Sequence, residues 1–301
     1  MALRLFSFPG IERLAEGISR GLGAKLEPWT LRRFPDGETY LRADVSLAAD
    51  DAIVLANLRD PDEKLAPLLF LAATLRALGA KRVLLIAPYL AYMRQDIRFN
   101  PGEGLTSRYF ARLLSGYFDG LVTVDPHLHR YHSLDEIYSI PSRLCHAAPE
   151  LAEWIRDNVT APLLIGPDAE SLQWVREVGA ACEAPFLTAE KRRLGDREVE
   201  IEISGLDRFP GRQIVVIDDI ISSAATMRGI VAKIRAAGFA EVRCLGVHGL
   251  FAGDAYRELL AAGADQVVTT NTIPHVSNQI DLSALLATRT RDLLADLEAR
   301  Q

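Results

Sequence analysis

Two adjacent carboxylates, Asp218 and Asp219, follow the apolar run Gln213-Ile-Val-Val-Ile217, and small or hydroxylic residues (Ser222, Ser223, Ala224, Ala225, Thr226) come soon after. A β-branched run that ends in acids and then in such residues predicts a buried parallel strand, a tight loop and a helix N-terminus. A loop of this kind aims backbone N–H groups and hydroxyls at one point, which suits a phosphate. Carboxylates beside it can grip sugar hydroxyls or a hydrated Mg²⁺. Together they suit a sugar phosphate. The same run also reads as a plain strand end whose acids cap the next helix, and from these residues alone both readings stand.

Five further clusters carry residue types that could do chemistry. Phe34-Pro-Asp36-Gly37-Glu38 has the Asp-Gly pair of a turn, so it is either an ordinary hairpin or an exposed ring beside acids that stacks and hydrogen-bonds an aromatic base. Arg94 and Gln95, with Asp96 and Arg98, follow an expected strand, the edge at which open α/β sheets bind ligands. They could hold a polyphosphate and a purine, or form a solvated ion-paired loop. The stretch Asp125-Pro-His127-Leu-His129-Arg130-Tyr-His132 holds three of the six histidines. It lacks the partners of a closed zinc set, and a single histidine on a hydrated Mg²⁺ is the alternative. Asp168, in Gly166-Pro167-Asp168-Ala169, either caps a helix or contacts a metal. Lys191 and Arg193 belong to the dense cationic stretch Glu190–Arg197, a solvated hairpin or a mobile arm that neutralises charge during phosphoryl transfer.

The elements that would position these groups come from an internal repeat. Leu75-Arg-Ala-Leu-Gly79 and the strand after it match Ile234-Arg-Ala-Ala-Gly238 and its strand at an offset of 159 positions. At the same offset Ile53–Leu58 falls on Arg212–Ile217, and near it Leu5–Pro9 falls on Leu163–Pro167. Each half alternates strand and helix, an α/β pattern with a mostly parallel sheet. Strands are expected near 3–8, 25–32, 52–58, 82–88 and 120–125, then 162–166, 184–187, 213–218, 241–247 and 265–269. Helices are expected near 10–22, 64–79, 105–117 and 133–139, then 169–179, 224–238, 254–262 and 282–301. A break at Tyr138-Ser-Ile-Pro141 suggests domains of 1–141 and 142–301, the final helix packing back on the first.

The chain has 301 residues, a net charge of -6 and 49% apolar residues. That composition gives no general attraction to nucleic acid or to an anionic membrane. The three cysteines lack metal spacing and read as reduced thiols of a cytoplasmic protein. No apolar run is long enough to span a bilayer.

Taken in order, down to Asn271-Thr272-Ile273-Pro274, these motifs resemble those of the ribose-phosphate diphosphokinases, also called phosphoribosyl pyrophosphate synthetases. The resemblance implies two tandem phosphoribosyltransferase-like (type I) domains. It also implies transfer of the diphosphoryl group of ATP to the C1 hydroxyl of ribose 5-phosphate, with AMP released and Mg²⁺ as cofactor. By the same resemblance Phe34, Asp36 and Glu38 contact adenine, and Arg94 and Gln95 help to hold ATP. His127 and Asp168 bind Mg²⁺, Lys191 and Arg193 steady the transferring group, Asp218 and Asp219 hold the ribose hydroxyls, and Ser222, Ser223, Ala224, Ala225 and Thr226 cradle the 5-phosphate. A homo-oligomer, dimer or larger, is implied too.

Relatives usually carry a glycine pair where this chain has Ala224-Ala225. If that backbone is left-handed the alanine is strained; if it is helical the alanine is harmless. The alanine pair motivates a second reading, a catalytically weak regulatory homologue. A third is a phosphoribosyltransferase, against which the duplication and the adenine-side motifs weigh. Arg98-Phe-Asn-Pro-Gly102-Glu103 looks more like the archaeal type of the family than the bacterial one.

Overall fold

The computed structural model describes residues 2–128, 130–169, 171–193 and 199–300, with the backbone alone for 191–193 and 199–200. The chain divides into two units, Met1–Cys145 with Leu282–Gln301, and His146–Asp281.

The first unit is built from β1 (Leu3–Ser7), α1 (Glu12–Leu22), β2 (Lys25–Leu26), β3 (Trp29–Arg33), β4 (Thr39–Ala43), β5 (Asp51–Leu55), α2 (Pro61–Ala77), β6 (Arg82–Ala87), α3 (Thr106–Tyr117), β7 (Gly120–Val124) and β8 (Ser142–Cys145). The second runs through α4 (Ala148–Asn158), β9 (Pro162–Gly166), α5 (Leu172–Ala181), β10 (Phe186–Thr188), β11 (Glu190–Arg193), β12 (Val199–Glu202), β13 (Gln213–Ile221), α6 (Ala225–Ala236), β14 (Val242–Gly249), α7 (Ala255–Ala261), β15 (Gln266–Thr270) and β16 (Asn278–Ile280). The chain then returns to the first unit as α8 (Ser283–Ala299).

Each unit holds a six-stranded sheet, ordered β2-β1-β5-β6-β7-β8 and β10-β9-β13-β14-β15-β16. Every pairing within both sheets is parallel. The duplication read from the sequence is therefore a duplication of topology. β5 and β6 are buried along their whole length, the signature of strands covered on both faces. Apolar cores follow, among them one around Phe6, Leu71, Leu85 and Phe118 and another around Ile165, Val216, Ile230 and Leu259.

Four departures from the sequence expectations have local causes. The strand expected over 25–32 splits, because Pro28 has no N–H to donate; β2 pairs with β1, whereas β3 turns away into an antiparallel hairpin with β4. The helix expected over 133–139 is one 3₁₀ turn, Leu134–Glu136, closed by a Ser133 capping box and followed too soon by Pro141 to continue. β13 does not stop at its acids: Ile220 and Ile221 stay in register with His248 and Gly249. β8, α4 and β16 were not foreseen, and β8 carries the first unit past residue 141 by pairing with β7.

The return of α8 depends on two glycines of α1. A Cβ added at Gly17 would lie 2.5 Å from the Ser283 Cβ, and one at Gly21 would lie 2.7 Å from the Ala287 Cβ. Only a residue without a side chain lets the two helices approach so closely. Arg143 of β8 also forms an ion pair with Asp296 of α8. Among the described residues no helix is long and apolar enough to cross a membrane.

Candidate functional site

In the second unit, the candidate residues gather where β9 and β13 end. Asp218 and Asp219 are half-buried, with buried Ile217 and Ile220 on either side. The Asp218 Oδ1 accepts the backbone N–H of Asp219 at 3.0 Å. Burial pushes the Asp218 carboxyl up to about 8, helped by the charge and hydrogen bonding of Asp219 and by the charge of Asp168. Asp168 follows β9. Its Oδ1 accepts the Ser171 N–H at 3.3 Å, and its carbonyl accepts the Ser171 hydroxyl at 2.7 Å, so it closes the turn before α5. Three carboxylates thus share one field, and the structure associates Asp168 electrostatically with Asp218; His127 belongs to the other unit.

Ser222 and Ser223 form a bend, and Ala224 caps α6 from a left-handed backbone, φ 56° and ψ 12°. Ala225 is already helical. The question posed by the alanine pair therefore has a split answer: Ala225 is unstrained, and Ala224 holds the conformation that glycine would favour. The first intrahelical bond runs from the Arg228 N–H to the Ala224 carbonyl at 2.9 Å. The N–H groups of Ala225, Thr226 and Met227 precede it and have no carbonyl of their own helix to meet. With the Ser222, Ser223 and Thr226 hydroxyls they make an anion-favouring helix start.

Lys191 and Arg193 lie on β11, in register with Ile201 and Val199 of β12. Their side chains, and residues 194–198 of the cationic stretch, lie outside the described residues.

In the first unit, Phe34, Asp36 and Glu38 form the tip of the β3–β4 hairpin. The Phe34 N–H donates to the Glu38 carbonyl at 2.8 Å, and Gly37 turns the chain at φ 91°. The plain hairpin reading is thus correct as geometry, and it leaves the Phe34 ring 40% exposed at the tip. The Arg32 guanidinium lies over two rings, 4.9 Å from the Phe34 centroid and 3.9 Å from that of Tyr40, which fixes the platform by cation–π attraction. Arg94 is exposed and Gln95 half-buried in the loop after β6, and the Gln95 side-chain carbonyl accepts the Thr106 hydroxyl at 2.9 Å. His127 is half-buried after β7. His129 lies outside the described residues.

Two features escaped the sequence reading. Arg130 stands 5.5 Å from the Phe99 ring centroid and 3.6 Å from the Asp96 carboxylate, tying the loop after β7 to the one after β6. The loop after β5 is occupied by the Lys64 ammonium, which donates to the carbonyls of Asn57 and Arg59. Neither contact is marked in advance, since Arg130 and Lys64 are single cations that only the folded loops bring to their partners.

Known proteins match this arrangement along the chain. Residues 3–117 match the N-terminal domain of ribose phosphate pyrophosphokinase, and residues 133–283 match the phosphoribosyl transferase domain. A ribose-phosphate pyrophosphokinase of Methanopyrus kandleri is 33% identical over 93% of this chain and 96% of its own. One of Methanothermobacter thermautotrophicus is 32% identical over 93% and 97%. The crystal structure of phosphoribosylpyrophosphate synthetase from Mycobacterium smegmatis superposes with a TM-score of 0.85 at 24% identity, covering 98% of this chain and all of that one; it shows the shared fold. With a relative 33% identical over 93% of its length, the chain belongs to the ribose-phosphate pyrophosphokinase family.

Proposed function

We propose that the chain transfers the β,γ-diphosphoryl group of ATP to the C1 hydroxyl of ribose 5-phosphate, giving 5-phosphoribosyl 1-diphosphate and AMP. The observation that carries this reading is the pair Asp218 and Asp219 on β13, set just before the start of a helix that lacks a side-chain cap. Phosphate-binding donors and hydroxyl-binding carboxylates on one strand end match a sugar phosphate in both parts.

In this reading the Ser222–Thr226 loop takes the 5-phosphate, and Asp218 and Asp219 accept hydrogen bonds from the ribose hydroxyls. Phe34, Asp36 and Glu38 take adenine, with Arg94 and Gln95 on the polyphosphate. The C1 hydroxyl then attacks the β-phosphorus in line as the bond to the α,β-bridging oxygen breaks. Lys191 and Arg193 offset the charge on the group in transfer. Little is asked of a dedicated base in such a reaction.

Mg²⁺ fits the donor chemistry. The crowding that holds the Asp218 carboxyl at about 8 is of a kind that a hard cation relieves. The family resemblance assigns Mg²⁺ binding, directly or through water, to Asp168 in the second unit and to His127 in the first. When bound, the ion neutralises triphosphate charge. We further infer a cytoplasmic enzyme, from three cysteines that read as reduced thiols, and a homo-oligomer, as the family resemblance implies.

The test is purified protein with ATP, Mg²⁺ and ribose 5-phosphate, followed by phosphorus NMR. AMP should form only when the sugar is present. The left-handed Ala224 favours one other reading, the weak regulatory homologue; it predicts ribose 5-phosphate binding with no AMP.

A further inference from the structure

Phe251 holds a left-handed backbone, φ 45°, two residues beyond the end of β14. Bulky side chains seldom adopt this region. The duplicated chain adopts it twice at one place: Tyr92, 159 positions earlier, has φ 60°. Residues held this way persist where their surroundings leave no alternative, and they cluster around ligand-binding elements.

The surroundings of Phe251 are specific. Its ring centroid lies 4.4 Å from that of His275 and 5.4 Å from that of Tyr256, and these two rings are 4.8 Å apart. On the other side there is no room to spare, since a Cβ added at Gly249 would meet the Phe251 Cε2 at 2.6 Å. With the ring so held, the backbone beside it has a single course. The N–H groups of Leu250 and Phe251 both donate to the Ile221 carbonyl at 3.0 Å, and that of Ala252 donates to the Ser222 carbonyl at 3.1 Å. Those two carbonyls are the entry to the loop that starts α6.

The counterpart in the first unit is tied differently. The Tyr92 ring packs 4.8 Å from Phe110, and its hydroxyl bonds to Asp62 in the first turn of α2. Both aromatics therefore brace the helix start on the neighbouring strand, one through its side chain and the other through backbone donors. Only the second braces a loop of phosphate-binding type.

We propose that Phe251 is a positioning residue for the sugar-phosphate loop: its ring, wedged among His275, Tyr256 and Gly249, sets the three N–H donors that hold Ile221 and Ser222 in place. This deepens the reading above and rests on it. Ser223 and Ala224 follow those carbonyls directly, so a shift of the 250–252 backbone moves the phosphate donors and leaves the nucleotide-binding residues of the first unit untouched.

The experiment is steady-state kinetics of Phe251→Ala, Phe251→Gly and Phe251→Leu beside wild type, with AMP and 5-phosphoribosyl 1-diphosphate measured. Phe251→Gly accepts the left-handed backbone and remains the informative variant where Phe251→Ala fails to fold. Both ring deletions should raise the KM for ribose 5-phosphate about tenfold or more, with the KM for ATP within about twofold. Phe251→Leu, which restores most of the apolar bulk, should recover to within about threefold of wild type. A ribose 5-phosphate KM within about twofold of wild type in Phe251→Gly overturns the proposal, as does an equal rise in both KM values. Failure of wild type itself to form AMP would instead count against the proposed function.

Discussion

Arg76, near the end of α2, reaches Asp119 at 2.9 Å, and Asp119 accepts the Val83 N–H at the start of β6 at 2.7 Å. In the second unit Arg235, near the end of α6, reaches Asp265 at 2.7 Å, and Asp265 accepts the Val242 N–H at the start of β14 at 2.8 Å. Both Arg76 with Arg235 and Val83 with Val242 correspond at the offset of 159. At the opposite edge the backbones still agree, since α2 and α6 both start from a left-handed residue, Asp60 at φ 53° and Ala224 at φ 56°. The side chains there do not agree. Lys64 fills the first turn, and Ser222, Ser223 and Thr226 line the second. The edge that starts the strands kept its ties in both copies. The edge that ends them kept a left-handed helix start but changed both its chemistry and its strand, β13 running on to Ile221 where β5 stops at Leu55, so specialisation after duplication is concentrated at that edge.

The largest effect expected from this comparison lies at the kept edge, where one tie differs in kind. Arg82 and Asp51 form a buried bidentate pair at 2.7 and 2.6 Å. In the second unit the position of Arg82 is held by Glu241, and the nearby Arg243 donates to the neutral Gln213 at 3.0 Å and pairs with the half-exposed Glu241 at 3.1 Å. Removing one member of a buried ion pair strands the other, so Arg82→Met should cost about 3–5 kcal/mol. Arg243→Met should cost about 1–2 kcal/mol, the net worth of an ordinary hydrogen bond and a half-exposed ion pair. Urea midpoints measure both, and equal losses would mean that the two edges are not energetically distinct.

At the ligand edge the two copies should separate by activity. Asp219→Asn loses a charged hydrogen-bond acceptor worth about 1.5–3 kcal/mol, which is roughly a 10- to 150-fold fall in kcat/KM for ribose 5-phosphate. Lys64→Met, in the other copy, should change that constant by no more than about twofold. A comparable fall in both would show that the first unit's filled turn also serves the sugar.

How far this division was legible in the sequence differs by edge. The repeat, the parallel strands and the acids of β13 are all written in β-branched runs and Gly79/Gly238 helix stops, which are local signals. The turn of the β3–β4 hairpin was legible in Asp36-Gly37, but its separation from β2 was hidden, because Trp29–Arg33 reads as a continuation of Lys25–Leu26 until Pro28 is given its full weight. β8, α4 and β16 are short or begin without a capping residue, and tertiary packing holds them instead. At the site, the residue types were legible but their backbone was not. Nothing in an alanine announces φ 56°, and nothing in Phe251 announces φ 45°.

A pH series separates the copies by a milder effect. The Asp218 carboxyl is held at about 8, above its ordinary value, by burial and by its acidic neighbours. A carboxyl raised on folding binds its proton more tightly in the native state, so its contribution is full at low pH and is lost as pH rises through about 8. Without ligands, this group should therefore lower Tm progressively from about pH 4 to about pH 8, with no further loss above that. Mg²⁺ with ribose 5-phosphate should flatten the fall, and Asp218→Asn should abolish it. A fall that persists in Asp218→Asn would place the titrating group elsewhere.

The smallest change tests whether the left-handed helix start is a cost to both copies. An alanine in that region gives up about 1–2 kcal/mol, and glycine returns about 0.4–1 kcal/mol of that through the freer unfolded chain. Ala224→Gly should thus gain about 0.5–1 kcal/mol, or about 1–2 °C in Tm at this chain length. Asp60→Gly should gain less, because aspartate tolerates the left-handed region better than alanine does. If the donors of α6 are already in place, the KM for ribose 5-phosphate should move by no more than about threefold in Ala224→Gly. A much larger improvement would mean that the alanine holds the loop away from its binding geometry, and the weak-homologue reading would gain at the expense of the active one.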